Sequence, residues 1–293
     1  MKEIVFITKQ GVKLKRKDNQ IVAVYERNKI SSFPVNRIDK LFLFGNVEIT
    51  TSAVSFLLSK NVDIFLLSYS GRLKGVITSP LRSNYTLRLK QYEAFTSPRN
   101  IEIAKFFVFQ KIKEIEKFIG KQFTELRNKL LGTKDYSEIL GIEGRASALF
   151  FEKFKEFLDN KNLQFEKREY NPPPDPVNAL LSLSYSIFYS LLFSITLSKG
   201  YDPYISFLHR KRGTHGAFAS DIMEIFRVDL TKFVGVLFNT GIITGEDFEN
   251  DSEYLLKNNS LKKFIRIYHE NVIQNETYLK KINQVFQQLE KIL

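Results

Sequence analysis

Apolar and polar positions alternate in short runs through the first 80 residues and follow a helical period afterwards. Short apolar runs bounded by turn-forming residues predict strands at 4–8, 12–15, 21–25, 41–44, 62–67 and 74–77. One short helix is predicted through Ala53, Phe56 and Leu57, with Thr51 or Ser52 as its N-cap. The pattern therefore predicts an α+β protein, with a small β-rich domain at 1–84 and a larger all-helical domain at 85–293.

Two segments of the second domain have clear helical patterns. Residues 100–123 place apolar side chains at helical spacing opposite lysines and glutamates, which predicts a long amphipathic helix. Residues 177–198 hold no charged residue over 22 positions, a length that also suits a membrane span. Serines recur there at every fourth position from 182 to 198, which is too many hydroxyls for a confident span. We therefore predict a central helix of a soluble domain.

Composition narrows the class of protein. A hydrophobic content of 43% supports a folded core, and 44 Lys+Arg against 32 Asp+Glu give a net charge of +12. That charge favours a polyanionic partner, either nucleic acid or an anionic membrane surface. The chain has no cysteine, which excludes disulfides and thiolate metal sites and favours a reducing compartment. Because no signal peptide is recognised, a cytoplasmic location is expected.

The densest candidate chemistry lies in residues 201–227, which contain two of the three histidines, His209 and His215. A helix predicted from Ala217 onward places Asp221 and Glu224 on one face, opposite an apolar stripe. Mn²⁺ or Mg²⁺ accepts carboxylate oxygens and one imidazole, so His209, Asp221 and Glu224 suit such an ion. A second interpretation makes both acids partners of surface ion pairs with Arg210, Lys211 or Arg227. Taken alone, these residues favour the second interpretation.

A second candidate stretch runs from Gly141 to Phe151. Glu143 is predicted to open a helix there among small neighbours. Gly144 next to it would cost up to about 1 kcal/mol in a helix interior, which suggests a close approach by backbone, metal or phosphate. Alternatively, Glu143 is a first-turn glutamate that the helix dipole favours. Both interpretations are open.

Cations cluster at two places. Arg82, Arg88, Lys90 and Arg99 lie at the joint between the predicted domains, where they suggest a path for DNA. Arg210, Lys211, Arg212 and Arg227 flank the candidate acids, where they are expected to hold backbone phosphates without reading the base sequence. Any single one of these residues is equally well explained as an ordinary exposed cation of a basic protein.

Four motifs together resemble the CRISPR-associated endonuclease and integrase family of the spacer-acquisition complex, the universal core Cas integrase. They are, in the family's order, G-I-E-G at 141–144, P-D-P-V-N-A-L-L-S-L-S-Y at 174–185, F-L-H at 207–209 and D-I-M-E-x-F-R at 221–227. The N-terminal runs L-F-L-F-G-N-V-E-I-T and L-L-S-Y-S-G-R-L-K-G are similar to that family's first domain. Ser206 departs from the usual glycine, and Ile225 and Val228 replace prolines.

The resemblance implies roles for particular residues. Glu143, His209 and Glu224 match the family's ligands for Mn²⁺ or Mg²⁺, and Asp221 matches the neighbouring acidic residue of the catalytic set. Asn178 is expected to brace the site from beneath. The number of metal ions and the roles of Asp221 and His215 are open.

The resemblance also implies an activity and partners. The expected protein is a metal-dependent endonuclease and integrase that inserts spacer DNA into a CRISPR array by phosphodiester transesterification, as part of antiviral defence. Its expected partners are double-stranded DNA, a second copy of the chain joined through the first domain, and the small second CRISPR adaptation protein. No membrane is expected. Two other classes remain open: a catalytically silent DNA-binding scaffold and a membrane-associated basic protein.

Overall fold

A computed structural model describes residues 3–69, 71–79, 85–159, 163, 165–169, 172–210, 216–250 and 254–293. The chain divides into two compact units. The first comprises residues 1–82 and 256–265, and the second comprises residues 83–255 and 266–293. The predicted α+β class, with β-strands first and a mostly helical remainder, is confirmed.

The described residues of the first unit up to Ile77 form two four-stranded sheets and one α-helix. Its elements are β1 (Glu3–Ile7), β2 (Lys13–Lys17), β3 (Gln20–Tyr25), β4 (Asn28–Pro34), β5 (Ile38–Phe44), β6 (Glu48–Ile49), α1 (Thr51–Ser59), β7 (Asp63–Leu67) and β8 (Leu73–Ile77). One sheet has the order β1-β5-β7-β8, in which only β7 and β8 pair antiparallel. The other has the order β4-β3-β2-β6, in which only β2 and β6 pair parallel.

Strand β5 is buried on both faces, which explains its continuous apolar run. Leu41 and Leu43 belong to the core that includes Leu57 of α1. Phe42 points to the opposite face and stacks on Phe65 of β7, with 4.6 Å between ring centroids. The alternation of side chains along the strand therefore supplies two apolar layers.

Two details of this unit differ from the sequence predictions. Strands β4 and β6 were not predicted, because β4 is largely polar and β6 is only two residues long. Helix α1 is capped by Thr50, whose hydroxyl accepts a hydrogen bond from the backbone N–H of Ala53 at 3.3 Å. The predicted cap at Thr51 or Ser52 was therefore wrong.

Helices dominate the chain after residue 84. They are α2 (Tyr85–Thr96), α3 (Arg99–Ile119), α4 (Thr124–Gly132), α5 (Tyr136–Phe157), α6 (Pro176–Lys199), α7 (Ala217–Met223), α8 (Arg227–Asn239), α9 (Asn258–Tyr268) and α10 (Glu276–Ile292). A two-stranded sheet of β9 (Phe248–Asn250) and β10 (Tyr254–Leu256) departs from the all-helical prediction.

Helix α6 is the central helix of the second unit, as predicted. Asp175 caps it by accepting the Asn178 N–H at 2.8 Å, Pro176 occupies its first turn, and Gly200 ends it at a φ of 93°. By length and composition α6 could cross a membrane, but 78% of its most apolar window is buried inside the fold. Protein side chains therefore cover the apolar surface that suggested a span.

Candidate metal centre

Four segments of the second unit converge around the predicted ligands. Helix α3 contributes Lys111, α5 contributes Glu143, the segment before residue 210 contributes His209, and α7 with the turn after it contributes Asp221 and Glu224. Lys111 and Glu224 are 113 positions apart in the chain, yet their side chains are hydrogen-bonded. Tertiary packing therefore assembles this centre.

Glu143 lies in the interior of α5, so the prediction that it opens a helix was wrong. The helix begins seven residues earlier, after Asp135 accepts the Ser137 N–H at 2.8 Å as its cap. An added Cβ at Gly144 would meet no described protein atom outside its own helix within 4 Å, so no protein backbone approaches this glycine closely. One turn after Glu143, Ser147 donates a hydrogen bond to its Oε1 at 2.8 Å.

Asp221 and Glu224 do not form an exposed polar face. Helix α7 ends at Met223, and the two acidic residues are 0% and 3% exposed. Arg227, the first residue of α8, donates from Nε to Glu224 Oε1 at 2.7 Å. The predicted pairing of Glu224 with Arg227 is present, but it is buried and not at the surface.

Lys111 lies between the two carboxylates. Its ammonium donates to Glu143 Oε1 and, at 2.6 Å, to Glu224 Oε2, and its side chain is 4% exposed. Burial alone would lower the pKa of Lys111, but the charges of Glu224 and Glu143 outweigh it and raise that pKa. Burial likewise would raise the pKa of Glu224, whereas the charges of Arg227 and Lys111 lower it. Lys111 and Glu224 therefore both stay ionised although both are buried.

Asp221 organises the segment that carries His209. Its carboxylate accepts the backbone N–H groups of Phe207, Leu208 and His209 at 2.7, 2.9 and 3.0 Å. It also lies 2.7 Å from His209 Nδ1. A carboxylate at Nδ1 requires a proton there, which leaves Nε2 as the acceptor nitrogen. That nitrogen lies 3.6 Å from Glu224 Oε1.

Buried polar contacts and close packing hold the same segment from other sides. Gln91 of α2 donates to the carbonyls of Asp202 and Ile205 at 3.0 and 2.8 Å, and Tyr136 donates to the Leu208 carbonyl. At the start of α7, a Cβ on Gly216 would come within 2.3 Å of Phe193. Glycine at 216 therefore permits the close approach of α6 that positions Asp221.

The donor set at this centre fits a hard divalent ion. Two carboxylates share one ammonium, and an imidazole nitrogen faces one of them. Across the part of the chain that the structure describes, no three histidine or acidic side chains are already arranged as a metal cage. In the structure the Lys111 ammonium bridges the two carboxylates.

The structure places the predicted DNA-binding residues in different surroundings. Arg210 donates to Asn100 Oδ1 at 2.6 Å and stacks 4.4 Å from the Tyr136 ring centroid, so its guanidinium has internal partners. Arg99 is exposed at the start of α3, and Arg88 is half-buried. Arg82, Lys211, Arg212 and also His215 lie outside the described residues.

Asn178 does not contact the predicted ligands directly. Its side chain accepts the N–H of Glu169 and donates to the carbonyl of Lys167, both at 2.9 Å. Arg168, which donates to Asn178 Oδ1, lies 5.4 Å from the Tyr185 ring, and Arg227 lies 4.9 Å from the same ring. One aromatic ring thus links the Asn178 cluster to the centre.

Sequence reasoning missed Lys111 and Ser147. Lys111 lies three residues after Val108 and four before Ile115, so it shares the apolar face of α3. A lysine at such a position needs a buried counter-charge, and that pattern is a signal that sequence reading can use. Ser147 is four residues after Glu143, which is the ordinary spacing of helix neighbours.

The fold and the centre together define a basic α+β protein whose helical unit buries two carboxylates and an imidazole among cations. The family model for CRISPR associated protein Cas1 matches residues 5–270. The chain belongs to the Cas1 family, and the resemblance seen in the motifs is confirmed. A relative from Thermodesulfovibrio yellowstonii, named as a CRISPR-associated endonuclease Cas1, is 31% identical over 295 residues, covering 93% of this chain and 92% of its own.

Solved structures have the same fold. A Cas1 protein from Thermotoga maritima aligns with a TM-score of 0.87 at 24% identity, over 99% of this chain and 96% of its own. A chain of a Cas6-RT-Cas1–Cas2 complex aligns at 0.84 and 23% identity, over 99% of this chain and 34% of its own. A casposase bound to an integration product aligns at 0.79 and 22% identity, over 90% and 81%.

Proposed function

We propose that this chain is a divalent-metal-dependent DNA endonuclease and integrase that inserts spacer DNA into a CRISPR array. The observation that carries the proposal is the convergence of Glu143, Glu224 and His209 Nε2 in one centre of a Cas1 family member. The relative named as an endonuclease supports cleavage chemistry. The casposase bound to an integration product supports strand transfer.

In this proposal each side chain has a definite task. Glu143, Glu224 and His209 Nε2 hold Mn²⁺ or Mg²⁺, which when bound supplies Lewis-acid chemistry at a phosphodiester. Asp221 keeps the proton on His209 Nδ1 and holds the backbone of residues 207–209 in place. Asp221 therefore acts as a positioning residue instead of a direct ligand.

Cleavage and integration differ in the attacking oxygen. Water attacks phosphorus in cleavage, a DNA 3′-hydroxyl attacks it in strand transfer, and in both the leaving 3′-oxygen departs with the bond that breaks. Cations beside the centre, such as Arg227, favour the negative charge that develops on the phosphate oxygens. The exposed Arg99 and the predicted contacts Arg88, Arg82, Lys211 and Arg212 would hold the duplex backbone.

The proposal includes partners and a location. The net charge of +12 supports double-stranded DNA as the substrate. The Cas1–Cas2 complex with a similar chain supports assembly with the small second adaptation protein. A homodimer joined through the first unit and a cytoplasmic location complete the proposal, and both follow from the family resemblance.

One observation favours a catalytically silent DNA-binding scaffold. Lys111 forms ion pairs with both predicted carboxylate ligands, and Arg227 forms a second ion pair with Glu224, so both acids have protein partners. A scaffold with this centre would bind DNA and keep its fold without Mn²⁺. The same variants test both functions.

The test is a strand-transfer assay with and without Mn²⁺ on the wild-type chain, Glu143→Gln, His209→Ala and Glu152→Gln. Glu152 is an exposed glutamate of α5 and serves as the matched control. We expect joining only with Mn²⁺, a loss of about 100-fold or more in the first two variants, and wild-type joining in the control. Unchanged joining in Glu143→Gln and His209→Ala would refute the proposal, and DNA binding without any joining would favour the scaffold.

A further inference from the structure

Arg210 follows His209 directly and is one of the predicted phosphate contacts, yet its guanidinium contacts the protein itself. We propose that Arg210 is a positioning residue, which fixes the imidazole of His209 by holding the backbone in front of it against three helices. The inference rests on the proposed function, because His209 is one of the metal ligands there. Arg210 then belongs to the framework of the metal centre and not to its DNA surface.

The guanidinium of Arg210 donates hydrogen bonds to two separate parts of the helical unit. Its Nη2 donates to Asn100 Oδ1 of α3 at 2.6 Å, and its Nε donates to the carbonyl of Phe207 at 3.2 Å. Asn100 is itself held, because its amide nitrogen donates to the Phe95 carbonyl at 3.2 Å. Arg210 therefore ties the backbone of residues 207–209 to α3.

Two aromatic rings contact the same guanidinium. Its central carbon lies 4.4 Å from the ring centroid of Tyr136 in α5 and 5.9 Å from that of Phe95 in α2. The Phe95 ring also contacts the Phe207 ring, with 6.3 Å between centroids. A planar cation with N–H donors along its edge stacks on a ring and donates hydrogen bonds sideways, a combination that a lysine ammonium does not reproduce. The surroundings of Arg210 therefore use features that are specific to arginine.

The backbone that carries His209 is held through both its N–H groups and its carbonyls. Asp221 accepts the three N–H groups of residues 207–209. The first two carbonyls of this segment accept from Arg210 and Tyr136. With these groups bonded, the segment has few other conformations available. A ligand that is fixed before the ion arrives avoids the entropy cost of being ordered on binding.

Arg127 provides a matched control in the same unit. It is also half-buried, and its Nε lies 3.3 Å from Glu116 Oε1. Glu116 accepts the Phe123 N–H at 2.6 Å and is none of the predicted ligands. Arg127→Lys therefore makes the same chemical change as Arg210→Lys without removing a contact of the segment that carries His209.

The first measurement follows the His209 imidazole by NMR without metal, in protein labelled with ¹³C-histidine. The chain has three histidines, so loss of one signal in His209→Gln assigns it. We expect Arg210→Lys to shift or broaden the His209 signal, because the ring loses its fixed orientation, and to leave the His269 signal in place. Arg127→Lys should leave all three signals in place. An unchanged His209 signal in Arg210→Lys would overturn the inference, whether or not the chain binds a metal.

The second measurement is Mn²⁺ binding by isothermal titration calorimetry in the wild-type chain, Arg210→Lys, Arg210→Gln and Arg127→Lys. We expect the Kd to rise about tenfold in both Arg210 variants, because residues that orient a metal ligand contribute about that much to affinity. The control should stay within about twofold of wild type. Asn100→Ala keeps the arginine but removes its acceptor on α3, so it should weaken binding in the same direction and replaces Arg210→Lys if that variant folds poorly.

The two possible failures give different results. Wild-type Mn²⁺ affinity in both Arg210 variants would overturn the inference and leave the proposed metal centre intact. Absence of Mn²⁺ binding by the wild-type chain would remove the metal centre and with it the proposed function, while the metal-free NMR signal would still decide whether Arg210 fixes His209.

The third measurement separates positioning from phosphate binding. A DNA duplex is titrated in EDTA at several salt concentrations, where each phosphate contact adds about 0.9 to the slope of log K against log salt. We expect the wild-type slope in both Arg210→Lys and Arg210→Gln. A slope smaller by about one in Arg210→Gln alone, together with wild-type Mn²⁺ affinity in both variants, would assign Arg210 to the DNA surface and refute the positioning role.

Discussion

The two units bury different kinds of side chain. Among the described residues of the first unit up to Ile77, the buried charged residues are Lys40 and Asp63, each 9% exposed. The second unit buries Lys111, Asp221 and Glu224 far more completely. The first core is therefore stabilised almost entirely by apolar contact, whereas part of the second depends on matched charges. The proposed metal centre lies among these matched charges of the second unit.

The comparison predicts that charge changes will damage the second unit most. Asp221→Ala removes the acceptor of three backbone N–H groups and the partner of His209. We expect the free energy of unfolding to fall by about 3–5 kcal/mol, since several buried donors lose their partner. Urea denaturation measures the loss. Asp221→Asn, which keeps one acceptor oxygen, should lose less, and a loss below about 0.5 kcal/mol in Asp221→Ala would contradict this account.

The second prediction concerns pH and the lowered pKa of Glu224. Its ordinary value is 4.5 and its folded value is lower, so the unfolded chain binds the proton more readily. Its stabilisation is complete above about pH 5 and is lost as pH falls further, by about 2 kcal/mol in total. Glu224→Gln should therefore flatten the decline of stability in acid, measured by denaturation at several pH values.

The first unit supplies the control for this pH test. Leu41→Ala removes apolar contacts from a core whose buried members are all apolar, so it should lower stability by a similar amount at every pH between 2 and 7. A loss of stability in Leu41→Ala that varies with pH would contradict the difference between the units. So would an acid-induced loss of stability in Glu224→Gln equal to that of the wild type.

The smallest expected effect tests the cap of α1. Thr50→Ala removes the hydroxyl that accepts the Ala53 N–H, so stability should fall by about 1 kcal/mol. Thermal unfolding measures it. Thr51→Ala and Ser52→Ala serve as neighbours without the cap hydrogen bond and should stay within about 0.5 kcal/mol of wild type. Equal losses at all three positions would contradict the observed cap.

Local sequence patterns predicted individual helices and strands better than they predicted which elements pair or how a helix is capped. The long helix around residues 100–123 and the central helix after Pro176 follow directly from periodicity and charge. The edge strand β4 escaped prediction because pairing with β3, not its polar sequence, makes it a strand. Thr50 was missed as a cap because three consecutive residues with hydroxyls at 50–52 fit the local rule equally well.

The same distinction between local pattern and tertiary packing holds for the candidate metal centre. The motif order grouped Glu143, His209 and Glu224, and the structure brings their side chains close together. The interior position of Glu143 and the burial of Asp221 depend on how α3, α5 and α7 pack. The apolar face of α3 marks Lys111 as buried, but its partners are 32 and 113 positions away, which no local pattern encodes.

The side chains that pack over α6 have a consequence for folding during translation. Phe188 packs against Phe226 and Tyr278, with ring centroids 5.1 and 6.0 Å apart, and Tyr268 donates to the Ser184 carbonyl at 2.8 Å. These partners all follow α6 in the sequence, so they leave the ribosome after it. The uncharged part of α6, residues 177–198, is therefore synthesised before the side chains that cover it. A nascent chain stalled before Tyr268 would expose this apolar surface to chaperones or to aggregation.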